Sequence, residues 1–115
     1  MRFKLKKNSS IRTNGLYDLE EILGECDGHG VGFGGEDIDW EISKNEKLHN
    51  ILDIHEEGGF IYIRYLKFYD DIEKEPTDIG LGKLPKELLE RVQEVVARHC
   101  SNKIKNIGVP KRNVS

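Results

Sequence analysis

The chain has 115 residues, the size of one ordinary domain that buries a single core. Its apolar fraction of 37% and charged fraction of 34% predict a lean core under a densely charged surface. No apolar run approaches the length of a membrane span, and the first residues alternate apolar and basic side chains, as a strand does and a signal peptide does not. The two cysteines, Cys26 and Cys100, are too few for a disulfide framework. We therefore expect a cytoplasmic protein with reduced thiols and no contact with a membrane.

The net charge of −3 conceals a strong segregation along the chain. Residues 1–16 contain five Lys and Arg and no carboxylate, residues 17–80 contain 18 Asp and Glu against five Lys and Arg, and residues 81–115 contain eight Lys and Arg against three Glu. A nucleic-acid-binding domain usually has a basic folded body, so this pattern predicts no nucleic-acid partner. Two interpretations stay open. The basic ends fold back and neutralise the acidic middle, or the acidic middle faces a basic partner.

The predicted elements begin with a strand over residues 2–6, in which Phe3 and Leu5 share one face. After turn residues, apolar side chains recur at helical spacing from Leu16 to Leu23, and Gly24 is a plausible end for this helix. From residue 28 the period becomes two. The pair Gly34-Gly35 predicts a hairpin turn, and the returning strand over residues 36–42 places Ile38, Trp40 and Ile42 on its core face.

The second half begins with a weakly supported helix over residues 44–55, which Gly58-Gly59 would end. Residues 60–69 are apolar on both faces and predict a central strand. An acidic loop then leads to Pro85, which suits the first position of an amphipathic helix of about four turns ending near His99.

This order predicts an α+β fold, with helices on one face of an antiparallel sheet. In detail it is β-α-β-β-α-β, the split βαβ or ferredoxin-like order, with an appended C-terminal helix. Residues 1–102 would form the single domain, and residues 103–115 a basic, loosely held tail.

Three patterns that could indicate chemistry have simpler structural interpretations. Residues 30–35 fit G-x-G-x-x-G, but an acidic strand follows where a phosphate site needs a helix N-terminus, so we expect no nucleotide. The alternating glycines instead suggest that something packs closely against one strand face. Cys26, His29 and Cys100 do not match a zinc-ligand spacing, so we expect no metal and no cofactor. Asp27 could orient His29 for acid–base work, but no nucleophile accompanies them and we expect no enzyme activity.

The acidic row Asp37, Asp39 and Glu41 is the most informative feature. Alternate residues of a strand share one face, so the three carboxylates would lie roughly 7 Å apart and repel one another. A solvated sheet face is one explanation, and electrostatic steering of a basic protein is the other. We predict partner contacts at these three residues, and next at Asp70 and Asp71 in the acidic loop.

Residues 19–35 resemble a segment of small bacterial immunity proteins, which neutralise polymorphic or contact-dependent toxins. The shared pattern is Gly-x-x-Asp-Gly-His-x-x-Gly, formed here by Gly24, Asp27, Gly28, His29 and Gly32, between a helix and a glycine-rich strand with an acidic strand after it. The resemblance covers roughly residues 1–70 and brings no catalytic residues. The long C-terminal helix and basic tail depart from the pattern, so no particular toxin is implied.

The resemblance implies an immunity-type inhibitor whose acidic surface occludes a basic toxin domain, often a nuclease. A second hypothesis is a small ligand-binding regulator or enzyme that uses the Asp27–His29 turn. A third is a structural homo-oligomer that pairs its sheet edges. A neighbouring toxin gene would favour the first hypothesis, and a metabolic operon the second.

Overall fold

The computed structural model of the chain describes residues 1–32, 35–70 and 74–101. Asp71, Gly34 and the expected tail over residues 103–115 lie outside these ranges. The strands are β1 (Arg2–Lys4), β2 (Gly28–Gly32), β3 (Gly35–Asn45), β4 (Leu48–Glu57), β5 (Phe60–Tyr69) and β6 (Thr77–Asp78). The α-helices are α1 (Ile11–Asn14), α2 (Glu20–Leu23) and α3 (Lys86–His99), with 3₁₀ turns at Leu16–Leu19 and Leu81–Lys83.

The six strands form one antiparallel sheet in the order β1-β5-β4-β3-β2, and the short β6 also pairs with β5. Strands β2 to β5 follow one another as hairpins, which need only short turns. Gly58 and Gly59 have φ of 63° and 86° in the β4–β5 turn, a left-handed pair that glycine adopts without strain. In the β3–β4 turn, Glu46 has φ of 56°. The N-terminal strand β1 then pairs with the other side of β5.

The sheet is covered on one face by the helices, and both share one apolar core. Ile38, Trp40, Leu52, Ile54, Ile61 and Ile63 of the sheet belong to the same buried cluster as Leu19 and Leu23 of the first helical segment and Val92, Val95 and Val96 of α3. Trp40 is 5% exposed, and its indole Nε1 donates to the carbonyl oxygen of Gly24 at 2.8 Å. That bond satisfies the polar edge of the ring at the point where α2 ends.

The α+β class, the antiparallel sheet, the C-terminal helix and the buried Trp40 are confirmed. Gly24 ends α2 with φ of 91°, and Pro85 immediately precedes α3, close to the predicted helix boundaries. Gly35 already belongs to β3, where it pairs with Gly32, so it is a strand residue and not the turn residue that was predicted.

The predicted helix over residues 44–55 is wrong, because this segment contains most of β4. Leu48, Ile51 and Leu52 suit either period, but Leu52 and Ile54 are buried on alternate positions of a strand. β4 pairs with β3 on one side and β5 on the other, and this hydrogen bonding outweighs a weak local helical preference. The split βαβ order is therefore wrong as well. It requires a helix between the third and fourth strands, whereas β2, β3, β4 and β5 follow one another without a helix.

Candidate partner-binding face

The predicted acidic row lies on the open face of the sheet, opposite the helices. In β3, Ile38 and Trp40 point into the core, so Asp37, Asp39 and Glu41 between them point the other way. Across the β3–β4 ladder their partners are His55, Asp53 and Ile51, which share that face. We call this surface the open face; it consists of the residues that β2 to β5 and β1 project away from the helices.

The glycines of β2 make room for two of the carboxylates. A Cβ on Gly28 would lie 2.9 Å from Oδ1 of Asp39, and one on Gly30 would lie 2.7 Å from Oδ1 of Asp37. A side chain at either position would have to displace the carboxylate, so the carboxylates of β3 lie across the bare backbone of β2. The predicted close packing against the glycine-rich strand is confirmed, and the groups that pack there are the acidic side chains themselves.

Asp39 is the most strained member of the row electrostatically. It is half-buried, and burial raises the pKa of its carboxyl group above the ordinary value of 3.8. The neighbouring carboxylates of Asp53, Asp37, Asp27 and Glu41 raise the pKa further, in that order. No ion pair between residues that the structure describes reaches Asp37 or Asp39. Within the described ranges their negative charges are uncompensated, Asp37 at an exposed position and Asp39 at a half-buried one.

Asp53, which faces Asp39 across the ladder, forms an ion pair with Arg64. Its side chain is buried, and Oδ2 accepts hydrogen bonds from Nη2 of Arg64 at 2.8 Å and from Nε at 3.3 Å. Arg64 is directly opposite Asp53 in the β4–β5 ladder, so the sheet register holds the pair together. The charge of Asp53 is thus balanced within the protein.

Glu41 and Asp70 are brought together by a residue that the sequence analysis did not single out. His49 lies between them, with Nδ1 2.5 Å from Oε2 of Glu41 and Nε2 2.7 Å from Oδ1 of Asp70. The ring stacks on Phe68 at 4.8 Å between centroids and with planes 7° apart. The contacts with Asp70 and then with Glu41 raise the pKa of His49, which favours an imidazolium that bridges two carboxylates.

This bridge divides the predicted partner-contact residues into two groups. Glu41 and Asp70 already form an internal ion bridge between the end of β5 and the β3–β4 hairpin, whereas Asp37 and Asp39 do not. Asp71 lies outside the described residues. The sequence contains one signal for this bridge: His49 alternates with Ile51 and Asp53, as residues on one face of a strand do. The prediction of a helix over residues 44–55 concealed that alternation.

Asp27 and His29 are held apart by different partners. Oδ2 of Asp27 accepts a hydrogen bond from the backbone N–H of Glu41 at 2.5 Å. Nε2 of His29 lies 3.2 Å from Oε1 of Glu36 on the helix side of the sheet, and its ring stacks on Tyr17 at 4.3 Å. Asp27 and His29 are therefore not paired with each other, and the carboxylate that contacts the imidazole is that of Glu36.

Both thiols are in surroundings that suppress ionisation. Burial, followed by hydrogen bonding to Glu20, raises the pKa of Cys26 to about 11, and burial raises that of Cys100 to about 12. Among residues 1–32, 35–70 and 74–101, no group of three or more His, Cys, Asp or Glu side chains is arranged to hold a metal ion. Within the same ranges, no helix is both long and apolar enough to cross a membrane.

Two shallow depressions adjoin the uncompensated carboxylates on the open face. One has a volume of about 350 Å³ and is lined by His55, Glu57, Tyr62 and Arg64. The other, of about 160 Å³, is lined by Gly30, Val31, Gly35, Asp37 and His55. His55 lines both of them, and the smaller groove also borders Asp37. A surface of this shape suits the side chains of a macromolecule more than an enclosed small molecule.

Comparisons of the chain with models of known families, with curated proteins and with solved structures find no match.

Proposed function

We propose that the chain is an immunity-type inhibitor, a cytoplasmic binding module that covers a basic surface of a toxin domain with its open face. The observation that carries this proposal is the pair Asp37 and Asp39, which lie side by side across the glycines of β2 and have no cationic partner among residues 1–32, 35–70 and 74–101. A fold that needed these carboxylates only for solubility would gain more from lysine or threonine at the same positions, since those residues would not repel.

A basic partner would relieve this electrostatic strain on binding. A Lys or Arg placed between the two carboxylates forms charge-assisted hydrogen bonds and replaces the repulsion by attraction. The acidic field also raises the rate of encounter with a basic surface before any contact forms. Inhibition then requires no chemistry from this chain, because a partner whose active site is covered cannot reach its substrate.

The distribution of charge on the open face also supports binding of a basic partner. Arg64 balances Asp53, and His49 offsets one of the two charges of Glu41 and Asp70, whereas Asp37 and Asp39 have no ion-pair partner among the described residues. The resemblance of residues 19–35 to immunity proteins falls on the turn and the glycine strand that border this place. A toxin domain with a basic active site, such as a nuclease, is the partner class that fits.

The decisive experiment is neutralisation of a toxin in cells. A toxin domain encoded beside this gene is expressed from an inducible promoter, with and without this chain, and growth is recorded. We expect the wild type to restore growth and Asp37→Lys/Asp39→Lys to fail. The matched control is Glu87→Lys/Glu90→Lys, which makes the same change of charge at exposed positions of α3 and should still protect. Equal protection by both double variants, or none by the wild type, would contradict the proposal.

A further inference from the structure

We infer that the partner binds as an extended segment that adds to the outer edge of β2, with basic residues at every second position. This inference rests on the proposed function and specifies how the partner is recognised. It combines an open sheet edge, a bare strand face with carboxylates across it, and exposed apolar side chains on the opposite face.

The outer edge of β2 is open in the part of the chain that the structure describes. β2 ends the strand order and pairs with β3 alone, and no backbone hydrogen bond between described residues reaches its outer side. Every second residue of such a strand directs its N–H and C=O outwards, where an added strand can bond to them. The opposite edge differs, because Ser101 donates to the carbonyl of Lys4 at 2.9 Å and Leu5 forms a bridge with Cys100.

The open-face side of this edge selects for basic residues. Asp39 and Asp37 lie across Gly28 and Gly30, which have no side chains to screen them. A strand beside β2 would lie about 4.8 Å farther out, or roughly 10 Å from β3. The stem of a Lys or Arg spans that gap, so its charged end meets the carboxylates of β3 while the segment's backbone pairs with β2.

The helix side of the same edge selects for apolar residues. Val31 is 76% exposed, and the ring of Tyr17, which is 49% exposed, stacks on His29 beside it. The residues of an added strand that alternate with the basic ones would cover these two side chains and remove apolar surface from water. The edge therefore fits a segment in which basic and apolar residues alternate.

A second copy of this chain does not fit the same edge. Pairing two β2 strands would place Asp37 and Asp39 of one copy next to those of the other, with nothing between them but glycines. Like charges in neighbouring strands destabilise the pairing, and charged residues at an edge are a common protection against self-association. The charge that favours a basic partner segment thus opposes a homodimer built through β2.

The test uses two synthetic peptides of about nine residues in which lysine alternates with valine. In one of them, N-methyl groups replace the backbone N–H groups on one edge, so charge and composition stay the same while strand pairing is blocked. Binding to the ¹⁵N-labelled full chain is followed by amide chemical shifts and by hydrogen exchange at Gly28, Gly30 and Val31. A third peptide with glutamate in place of lysine controls for charge.

We expect the lysine peptide to slow exchange at β2 amides. The N-methylated peptide should bind at least about tenfold more weakly, because it lacks roughly one or two hydrogen bonds. The glutamate peptide should lose at least about as much, because its side chains repel the carboxylates of β3. Asp37→Asn/Asp39→Asn should weaken the lysine peptide by a similar factor. Equal binding of the N-methylated peptide, shifts confined to the groove beside His55, or no binding of the lysine peptide would each overturn edge pairing. Toxin neutralisation that depends on Asp37 and Asp39 would survive those results, so the two proposals fail separately.

Discussion

Asp39 and Asp53 face each other across β3 and β4, and within the part of the chain that the structure describes Asp53 has a cationic partner and Asp39 has none. Arg64 holds Asp53 from the far side at 2.8 Å, whereas Asp39 lies over Gly28 with acidic neighbours on its other sides. The sheet register therefore fixes a negative charge at a place where the fold itself gains nothing from it. Residues of this kind are usual at functional sites, where stability is lost for the sake of binding.

Replacing Asp39 by Asn should stabilise the protein at neutral pH. The folded-state pKa of Asp39 is raised, so its ionisation begins to oppose folding as the pH rises above 3.8 and does so fully above the folded-state pKa. Removing one of two carboxylates that face each other should raise the free energy of unfolding by roughly 0.5 kcal/mol. Urea denaturation at pH 7 measures this gain.

The pH dependence of that gain provides its own control. Below the ordinary Asp pKa of 3.8, Asp39 is protonated in the folded and unfolded chains alike, so the variant and the wild type should become equally stable. A gain that persists unchanged in acid would show that packing, and not charge, separates the two proteins.

The Glu41–His49–Asp70 bridge should make stability depend on pH in the opposite direction. The raised folded-state pKa of His49 means that the imidazolium stabilises the fold fully below the unfolded value of 6.5 and loses its contribution as the pH rises through the folded value. His49→Gln should therefore lower the melting temperature at about pH 6 and much less at about pH 9.

His55→Gln is the matched control for the His49 variant. His55 is on the same strand and face, but it contacts one carboxylate, Glu57, at 3.1 Å and is more exposed. Thermal unfolding followed by circular dichroism should show a smaller effect for this variant at about pH 6. If the two substitutions lower the melting temperature equally at every pH, the bridge does not act through charge.

Gly35→Ala should be far more damaging than Gly28→Ala. A Cβ on Gly35 would meet the backbone carbonyl oxygen of Glu56 in a severe overlap, whereas one on Gly28 would meet only the end of the Asp39 side chain, which can rotate. We expect Gly35→Ala to lower the free energy of unfolding by about 3 kcal/mol and Gly28→Ala by about 1 kcal/mol. Urea denaturation of both variants checks the order, and equal losses would contradict the close approach of β3 and β4.

The two thiols should be inert in the folded protein. With pKa values of about 11 for Cys26 and about 12 for Cys100, at most about one thiol in a thousand is ionised at pH 8, and only the thiolate reacts quickly. Alkylation by iodoacetamide, read by mass spectrometry, should be slow until urea unfolds the chain. Modification of either cysteine in the native protein at the rate of a free thiol would contradict the burial that raises these pKa values.

The elements predicted correctly are those whose spacing of apolar residues fits only one type of secondary structure. Ile38, Trp40 and Ile42 alternate strictly with acidic residues, and the stripe from Leu89 to His99 has only a helical period. The apolar residues of 44–55 fit a helical period and a strand period equally well. The choice between helix and strand depends on pairing with β3 and β5, and the local sequence pattern holds no information on that pairing. One wrong element changed the predicted topology from a split βαβ order to a run of hairpins.

The candidate site was predicted to the level of a face but not to the level of individual charges. Alternation alone places Asp37, Asp39 and Glu41 together. Which carboxylate has a cationic partner depends on contacts across the sheet. His49 contacts Glu41, and Arg64 contacts Asp53 on the neighbouring strand. Asp37 and Asp39 lie over the glycines of β2. The resemblance to immunity proteins stays a hypothesis that only a partner can test.

The central claim is that Asp37 and Asp39 recruit a basic partner, and the association rate constant tests it most directly. With the cognate toxin domain immobilised, association and dissociation are measured across ionic strength for the wild type, Asp37→Lys/Asp39→Lys and Glu87→Lys/Glu90→Lys. We predict that the open-face variant associates at least about tenfold more slowly at low salt, that the gap narrows as salt screens the charges, and that the α3 variant stays close to the wild type. Identical rate constants for the two double variants at every ionic strength would contradict the claim and leave the carboxylates as a solvated face.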